Sequence, residues 1–104
     1  MAIPFVMINL DKPYKLKFGM GAQVEFEQLT GIKVMSIQDE ISVELCAKML
    51  WVMLKQEDKE ITLEKTCQLV DEYANNMTDV IQTVSKAIEA AFKTSLPNVG
   101  KPKK

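Results

Sequence analysis

Histidine and arginine are both absent from this chain of 104 residues. Histidine is the commonest general base and metal ligand, so its absence removes the usual centre of acid–base or metal chemistry. Arginine supplies the forked cation that phosphate and guanine recognition favour, and all thirteen basic residues here are lysine. These absences argue against an enzyme and make a nucleic-acid partner a poor fit.

Motifs that bind phosphate or metal are missing as well. The stretch FGMGAQ has two glycines but neither the length nor the Lys-Ser/Thr pair of a phosphate-binding loop. The acidic cluster Glu57, Asp58, Glu60 and Glu64 lacks the ligand spacing and the turn glycine of a calcium loop. We therefore expect no cofactor and no metal.

Long hydrophobic runs are also lacking. The apolar run from Met49 to Leu54 lies between Lys48 and Lys55, whereas a membrane-spanning helix needs about 20 apolar residues. The apolar N-terminus has no basic region before it and no small-residue cleavage site after it, so it does not resemble a secretory signal. The sequence predicts a soluble protein that stays in the compartment where it is made.

What is present is typical of one small globular domain. Apolar residues make up 47% of the chain and charged residues 26%, with a net charge of −1. Such a balance creates no global field that would attract nucleic acid or a membrane. We expect a single domain over residues 1–95. The segment 96–104, LPNVGKPKK, has no periodicity and is predicted to be a flexible tail.

The N-terminal part predicts a β-hairpin. Residues 3–10 suit a strand that is apolar on both faces, with Phe5 and Met7 on one of them. After a turn at residues 11–13, residues 14–18 alternate strictly between apolar side chains and lysine, which predicts a strand with one face in water. The inward side chains of this second strand are Tyr14, Leu16 and Phe18.

Four helical segments follow. A short helix over residues 22–30 has Ala22, Phe26 and Leu29 at helical spacing, and Gly31 is its C-terminal stop. After an ambiguous stretch, IKVMSI, a second helix is predicted over residues 39–56, capped by Ser36 or Asp39.

The second helix is apolar nearly all the way round, apart from a narrow stripe of Glu44, Lys48 and Lys55. A helix with this pattern is buried rather than lying at a surface. In so small a domain it must either lie centrally or be completed by a second molecule. Both alternatives are open for Met49 and Met53, while Trp51 suits the rim of a core or an interface anchor.

The last two helices are amphipathic. Thr62 is the predicted cap of the third. Its apolar stripe is formed by Leu63, Cys67, Val70 and Ala74 and is widened by Leu69 and Tyr73. The fourth restarts at Thr78 and Asp79, carries the stripe Val80, Ile81, Val84, Ala87, Ile88, Ala91 and Phe92, and ends at Ser95 and Pro97. Since Cys46 and Cys67 both lie on apolar stripes, we expect two buried, reduced thiols. The predicted class is α+β, mostly α, with the hairpin packed on a bundle of about four helices.

The order of these pieces resembles the small tail assembly chaperones of long-tailed bacteriophages, together with the related tail protein of gene transfer agents. The resemblance covers roughly residues 12–93. It includes YKLKFGMGA, the helix VEFEQLTG with Phe26, Glu27 and Gly31, the apolar helix LCAKMLWVMLKQ, the link EDKEITLEK, CQLVDEY and the closing AIEAAF.

The resemblance implies a non-enzymatic protein in the cytoplasm of the bacterial host. Members of this family keep the tape-measure protein soluble and recruit tail-tube subunits during tail assembly. A structural tail or head–tail joining component is the alternative, and a small helical DNA-binding regulator is a weaker one. For the partner surface, and for self-association, the sequence points to Phe5, Met7, Met49, Trp51 and Met53.

Overall fold

A computed structural model describes residues 5–36 and 42–95. In chain order these residues form strands β1 (Val6–Asn9) and β2 (Pro13–Leu16), helix α1 (Met20–Thr30), a 3₁₀ turn (Val34–Ser36), and helices α2 (Val43–Lys55), α3 (Leu63–Tyr73) and α4 (Met77–Ser95). The predicted α+β class, with a hairpin packed on four helices, is confirmed. The predicted strand start at residues 3–4, the cap at Asp39 and the tail 96–104 with Pro97 lie outside the described residues.

The two strands pair antiparallel, and their side chains alternate as the sequence predicts. Tyr14, Leu16 and Phe18 are buried against the helices, whereas Lys15 and Lys17 are exposed to water. Because strand periodicity is two, a register slip of one residue would have buried both lysines. The predicted orientation of the hairpin is therefore confirmed.

The turn of the hairpin is stabilised by Tyr14. Its hydroxyl donates a 2.8 Å hydrogen bond to Oδ1 of Asp11, and Nζ of Lys12 lies 5.3 Å from the centre of its ring. Burial, and then the Asp11 carboxylate, raise the pKa of Tyr14 to about 12. Both effects disfavour the phenolate, so Tyr14 stays neutral at physiological pH.

Helix α1 begins at Met20, two residues before the predicted start. Ala22 and Phe26 are buried as expected, and the Phe26 ring packs edge-on against Phe18 with centroids 6.2 Å apart. Leu29, which shares their helical spacing in the sequence, is exposed instead. The helix therefore contacts the core along a narrower stripe than predicted.

The end of α1 is the predicted glycine stop. Gly31 has a φ of 76°, in the left-handed region, and its N–H donates to the carbonyl of Glu27 at 2.8 Å. The Glu27 carboxylate in turn accepts a 2.8 Å hydrogen bond from the N–H of Val34. These two residues of VEFEQLTG thus fix how the chain leaves α1 and enters the 3₁₀ turn.

Helix α2 begins later than predicted. Its N-cap is Ser42, whose Oγ accepts a 3.1 Å hydrogen bond from the N–H of Leu45. Ser36, one of the two predicted caps, ends the 3₁₀ turn instead. By residue type Ser42 is as suitable a cap as the two predicted residues, so local sequence alone did not distinguish them.

Helix α2 occupies the centre of the fold and packs against β2, α1, α3 and α4. Its buried residues are Cys46, Met49, Leu50, Val52, Met53 and Leu54. Of the two alternatives that the sequence left open, the central position holds for the described chain. Most of the apolar surface of α2 is enclosed by its own domain, and Val43 at its start is exposed.

Helix α3 starts at the predicted cap, where Oγ1 of Thr62 accepts a 3.0 Å hydrogen bond from the N–H of Lys65. Its buried residues are Thr66 and Leu69, and Val70 and Ala74 pack partly buried against the core, whereas Cys67 of the predicted stripe is exposed. The Thr66 hydroxyl donates a 3.0 Å bond to the Thr62 carbonyl. That bond satisfies the hydroxyl and allows a polar residue to face the core.

Helix α4 confirms its predicted apolar stripe. Val80, Val84, Ala87 and Ala91 are buried, and Ile81, Ile88 and Phe92 pack partly buried against the same core. The helix begins at Met77 rather than at Thr78. Oδ1 of Asn76 accepts a 2.8 Å bond from the N–H of Asp79 and acts as the cap.

Candidate functional site

The methionines that the sequence singled out as partner contacts are core residues. Met49 and Met53 are both 0% exposed, within the central helix α2. A side chain without exposed surface cannot contact a partner in this fold. Both residues are therefore corrected from candidate contacts to core.

Trp51 is half-buried and holds the link between α2 and α3. Its Nε1 donates a 3.0 Å hydrogen bond to the carbonyl of Ile61, and Nζ of Lys55 lies 5.6 Å from the centre of its ring. The same ammonium group donates to the carbonyl of Lys59 at 3.1 Å and lies 3.7 Å from the Glu25 carboxylate. Trp51 thus occupies the core rim, one of its two predicted positions, with a structural role.

The remaining predicted contacts, Phe5 and Met7, are exposed. They are 48% and 44% accessible and lie on the same face of the hairpin as Lys15 and Lys17. Nζ of Lys15 stands 5.1 Å from the centre of the Phe5 ring. We call these four residues the hairpin outer face: an apolar pair accompanied by two cations.

A second apolar surface lies where α2, α3 and the start of α4 meet. A groove of about 120 Å³ opens there, which we call the helix groove. Its lining is Val43, Cys46, Ala47, Leu50, Thr66, Cys67, Val70, Asp71, Met77 and Val80. Val43 and Met77 are 62% and 43% exposed, so two large apolar side chains remain in water beside it.

The two cysteines differ in environment although both line the helix groove. Cys46 is buried, and burial raises the pKa of its thiol. Cys67 is exposed, which contradicts the expectation of two buried thiols. The error follows from the rotation of α3 about its axis, which turns Thr66 and Leu69 inward and Cys67 outward.

A third surface is the α1 outer face, formed by Met20, Val24 and Gln28. These residues are four positions apart, so they lie on one side of the helix, and all three are exposed. Met20 is 79% accessible, the highest value among the large apolar side chains of the described residues. The buried stripe of Ala22 and Phe26 dominates the pattern of α1, so this surface was not among the predicted ones. The recurrence of Met20 and Val24 at a spacing of four residues is the signal in the sequence that indicates it.

A larger and more polar depression of about 300 Å³ lies between β1 and the first half of α4. Its lining includes Met7, Asn75, Asp79, Thr83 and Lys86. Among the described residues, no group of three or more Cys, Asp or Glu side chains is arranged to hold a metal ion. Within the same part of the chain, no helix has both the length and the apolar character to cross a membrane.

Comparison of the chain with protein-family models, with curated proteins and with solved structures gave no match.

Proposed function

We propose that this protein is a non-enzymatic tail assembly chaperone of a long-tailed bacteriophage or prophage. It keeps the tape-measure protein soluble and recruits tail-tube subunits, acting in the cytoplasm of the bacterial host. The resemblance of the motif order over residues 12–93 suggests the family. The exposed apolar surfaces supply the physical support, because a holding protein must present apolar area that its own core does not use.

The observation that carries this proposal is the distribution of methionine. Two of the six methionines in the described chain are buried in α2, and the other four, Met7, Met20, Met35 and Met77, are exposed. Methionine is flexible and polarizable, so surfaces rich in it adapt to varied apolar partners. Met7 lies on the hairpin outer face, Met20 on the α1 outer face and Met77 beside the helix groove, so adaptable apolar contacts are spread over several surfaces, which suits a protein that holds a long client.

The α1 outer face is the expected docking place for the tape-measure protein. Met20 and Val24 form an apolar pair one helical turn apart. Gln28 continues the same line with a neutral polar side chain. An amphipathic helix of the client would pack its apolar stripe side by side with this line, as two helices pack face to face.

Co-expression with the tape-measure protein of the same phage or prophage tests the proposal. The wild-type chain should increase the soluble fraction of the tape-measure protein and co-purify with it. The double substitution Met20→Glu and Val24→Glu should abolish this effect, because it places two carboxylates where apolar contact is needed. The matched control is Gln28→Glu, which adds a carboxylate on the same face and keeps the apolar pair.

The test compares the solubility of the tape-measure protein in the presence of the double variant and of the Gln28→Glu control. Circular dichroism must show that both keep the helical fold, which is expected because the substituted side chains are exposed. A tape-measure protein that is equally soluble with and without the wild-type chain would refute the chaperone function. Equal activity of the double variant and the control would instead remove α1 as the docking surface.

A further inference from the structure

The hairpin outer face and the helix groove are both apolar, but their charges are opposite. Lys15 and Lys17 accompany Phe5 and Met7 on the hairpin outer face. Asp71 is the charged residue in the lining of the helix groove. Opposite charges around apolar contacts favour one pairing of surfaces over another.

The charge difference extends beyond these residues. The hairpin segment 5–18 carries three lysines and one aspartate, and that aspartate, Asp11, already accepts a hydrogen bond from Tyr14. Helix α3, one wall of the helix groove, carries three carboxylates and one lysine. Pairing two hairpin outer faces would bring four lysines together, whereas pairing one with a helix groove brings cations to carboxylates.

The helix groove also has a suitable size for an aromatic side chain. An apolar cavity of about 150 Å³ accommodates benzene. The helix groove, at about 120 Å³, is somewhat smaller but open to solvent, and flexible Met77 lines it. Phe5, whose ring is 48% exposed, presents a group of this kind.

We propose that the helix groove of one molecule binds the hairpin outer face of a second copy of this chain. Phe5 enters the groove, and Lys15 and Lys17 lie beside Asp71. The contact joins two different surfaces, so each molecule can bind one neighbour through its hairpin and another through its groove. This inference does not depend on the tail-assembly function and would hold for any role of the protein.

A charge exchange tests the pairing directly. Asp71→Lys should weaken self-association about tenfold or more, because it places like charges at the contact, and Lys15→Glu with Lys17→Glu should do the same. An equimolar mixture of the two variants restores opposite charges at every mixed contact. The mixture should therefore form oligomers at concentrations at which each variant alone is monomeric, as measured by light scattering.

The control for charge alone is Lys33→Glu, an exposed reversal outside both surfaces, which should leave self-association unchanged. The proposal is overturned if the wild-type chain is a monomer at all concentrations, if the charge variants associate like the wild type, or if the mixture stays monomeric. If the wild-type chain is a monomer and the tape-measure protein covers its groove, the groove is the binding site of that partner and not of a second copy.

Covalent cross-linking locates the contact. Asn9→Cys adds an exposed thiol to the strand of Phe5 and Met7 and leaves both of them, and the two lysines, in place. A bismaleimide should join it to Cys67 of a second copy and give a ladder of products beyond the dimer on a denaturing gel. The Asn9→Cys, Cys67→Ser double variant should lose the ladder. A ladder that persists without Cys67 would contradict the proposed pairing.

Discussion

Met53 provides the most direct check on which methionines belong to the core. Its side chain is 0% exposed on the central helix α2, whereas Met20 is 79% exposed at the start of α1. The two residues have the same chemistry and both lie in helices. Helix propensity changes little between methionine and alanine. A difference in stability between the two alanine variants therefore reports the burial of the side chain.

The expected loss follows from the atoms that are removed. Met53→Ala deletes three heavy atoms from a site without solvent, at about 0.8 kcal/mol of lost transfer free energy for each methylene-sized group. The cavity left behind adds a further penalty, so we expect a loss of about 2–4 kcal/mol in the free energy of unfolding. Met20→Ala should change it by less than about 0.5 kcal/mol, since the side chain already lies in water.

Urea denaturation measures both effects, with Trp51, the single tryptophan, as the fluorescent probe. With a slope of about 1–3 kcal/mol per molar urea, a loss of 3 kcal/mol lowers the midpoint by about 1–3 M. Met53→Leu, which nearly conserves volume, should recover most of the difference. A midpoint for Met53→Ala within experimental error of that for Met20→Ala would show that α2 is not enclosed as described.

Three further predictions test single features of the fold. Gly31→Ala should destabilise the protein by about 1 kcal/mol, because the φ of 76° at this position is unfavourable for alanine. Gly21→Ala should stabilise it by about 0.5 kcal/mol, because Gly21 lies within helix α1. Urea midpoints that move in the same direction for both variants would contradict this pair of predictions. A thiol reagent should label Cys67 rapidly in the native protein and Cys46 only as the fold opens, and equal labelling rates would refute that difference. The pKa of Tyr14 in the folded protein is about 12, above its ordinary value of 10.0. The neutral side chain therefore contributes stability that is complete below pH 10 and is lost as the pH rises through 12. Tyr14→Phe should flatten the decline of stability across that window, and an unchanged slope would refute the linkage.

Local patterns in the sequence predicted the element order well. The alternation of residues 14–18, the glycine at Gly31 and the threonine at Thr62 each carry a signal confined to a few neighbouring residues, and the structure confirms all three. Such signals depend on strand periodicity, on left-handed backbone at glycine and on capping by a hydroxyl. None of them requires knowledge of what lies across the fold.

The failures concern which side of an element faces its neighbours. In α2, apolar side chains cover so much of the helix that the sequence could not distinguish a domain core from a partner surface at Met49 and Met53. In α3, residue type favoured Cys67 over Thr66 for the core. The structure reverses that order because the Thr66 hydroxyl bonds to the carbonyl of Thr62 and so becomes compatible with burial.

The two proposals assign different surfaces to different partners, so substitutions should remove the holding of the tape-measure protein and self-association independently. Substitution of Met20 and Val24 should remove the holding of the tape-measure protein and leave self-association intact, because neither residue belongs to the hairpin outer face or the helix groove. Asp71→Lys should do the reverse. If Asp71→Lys removed both activities while the fold persisted, the client and the second copy would have to share the helix groove. The apolar groove that holds Phe5 would then be the place where they compete, and an excess of the client should dissolve the oligomer.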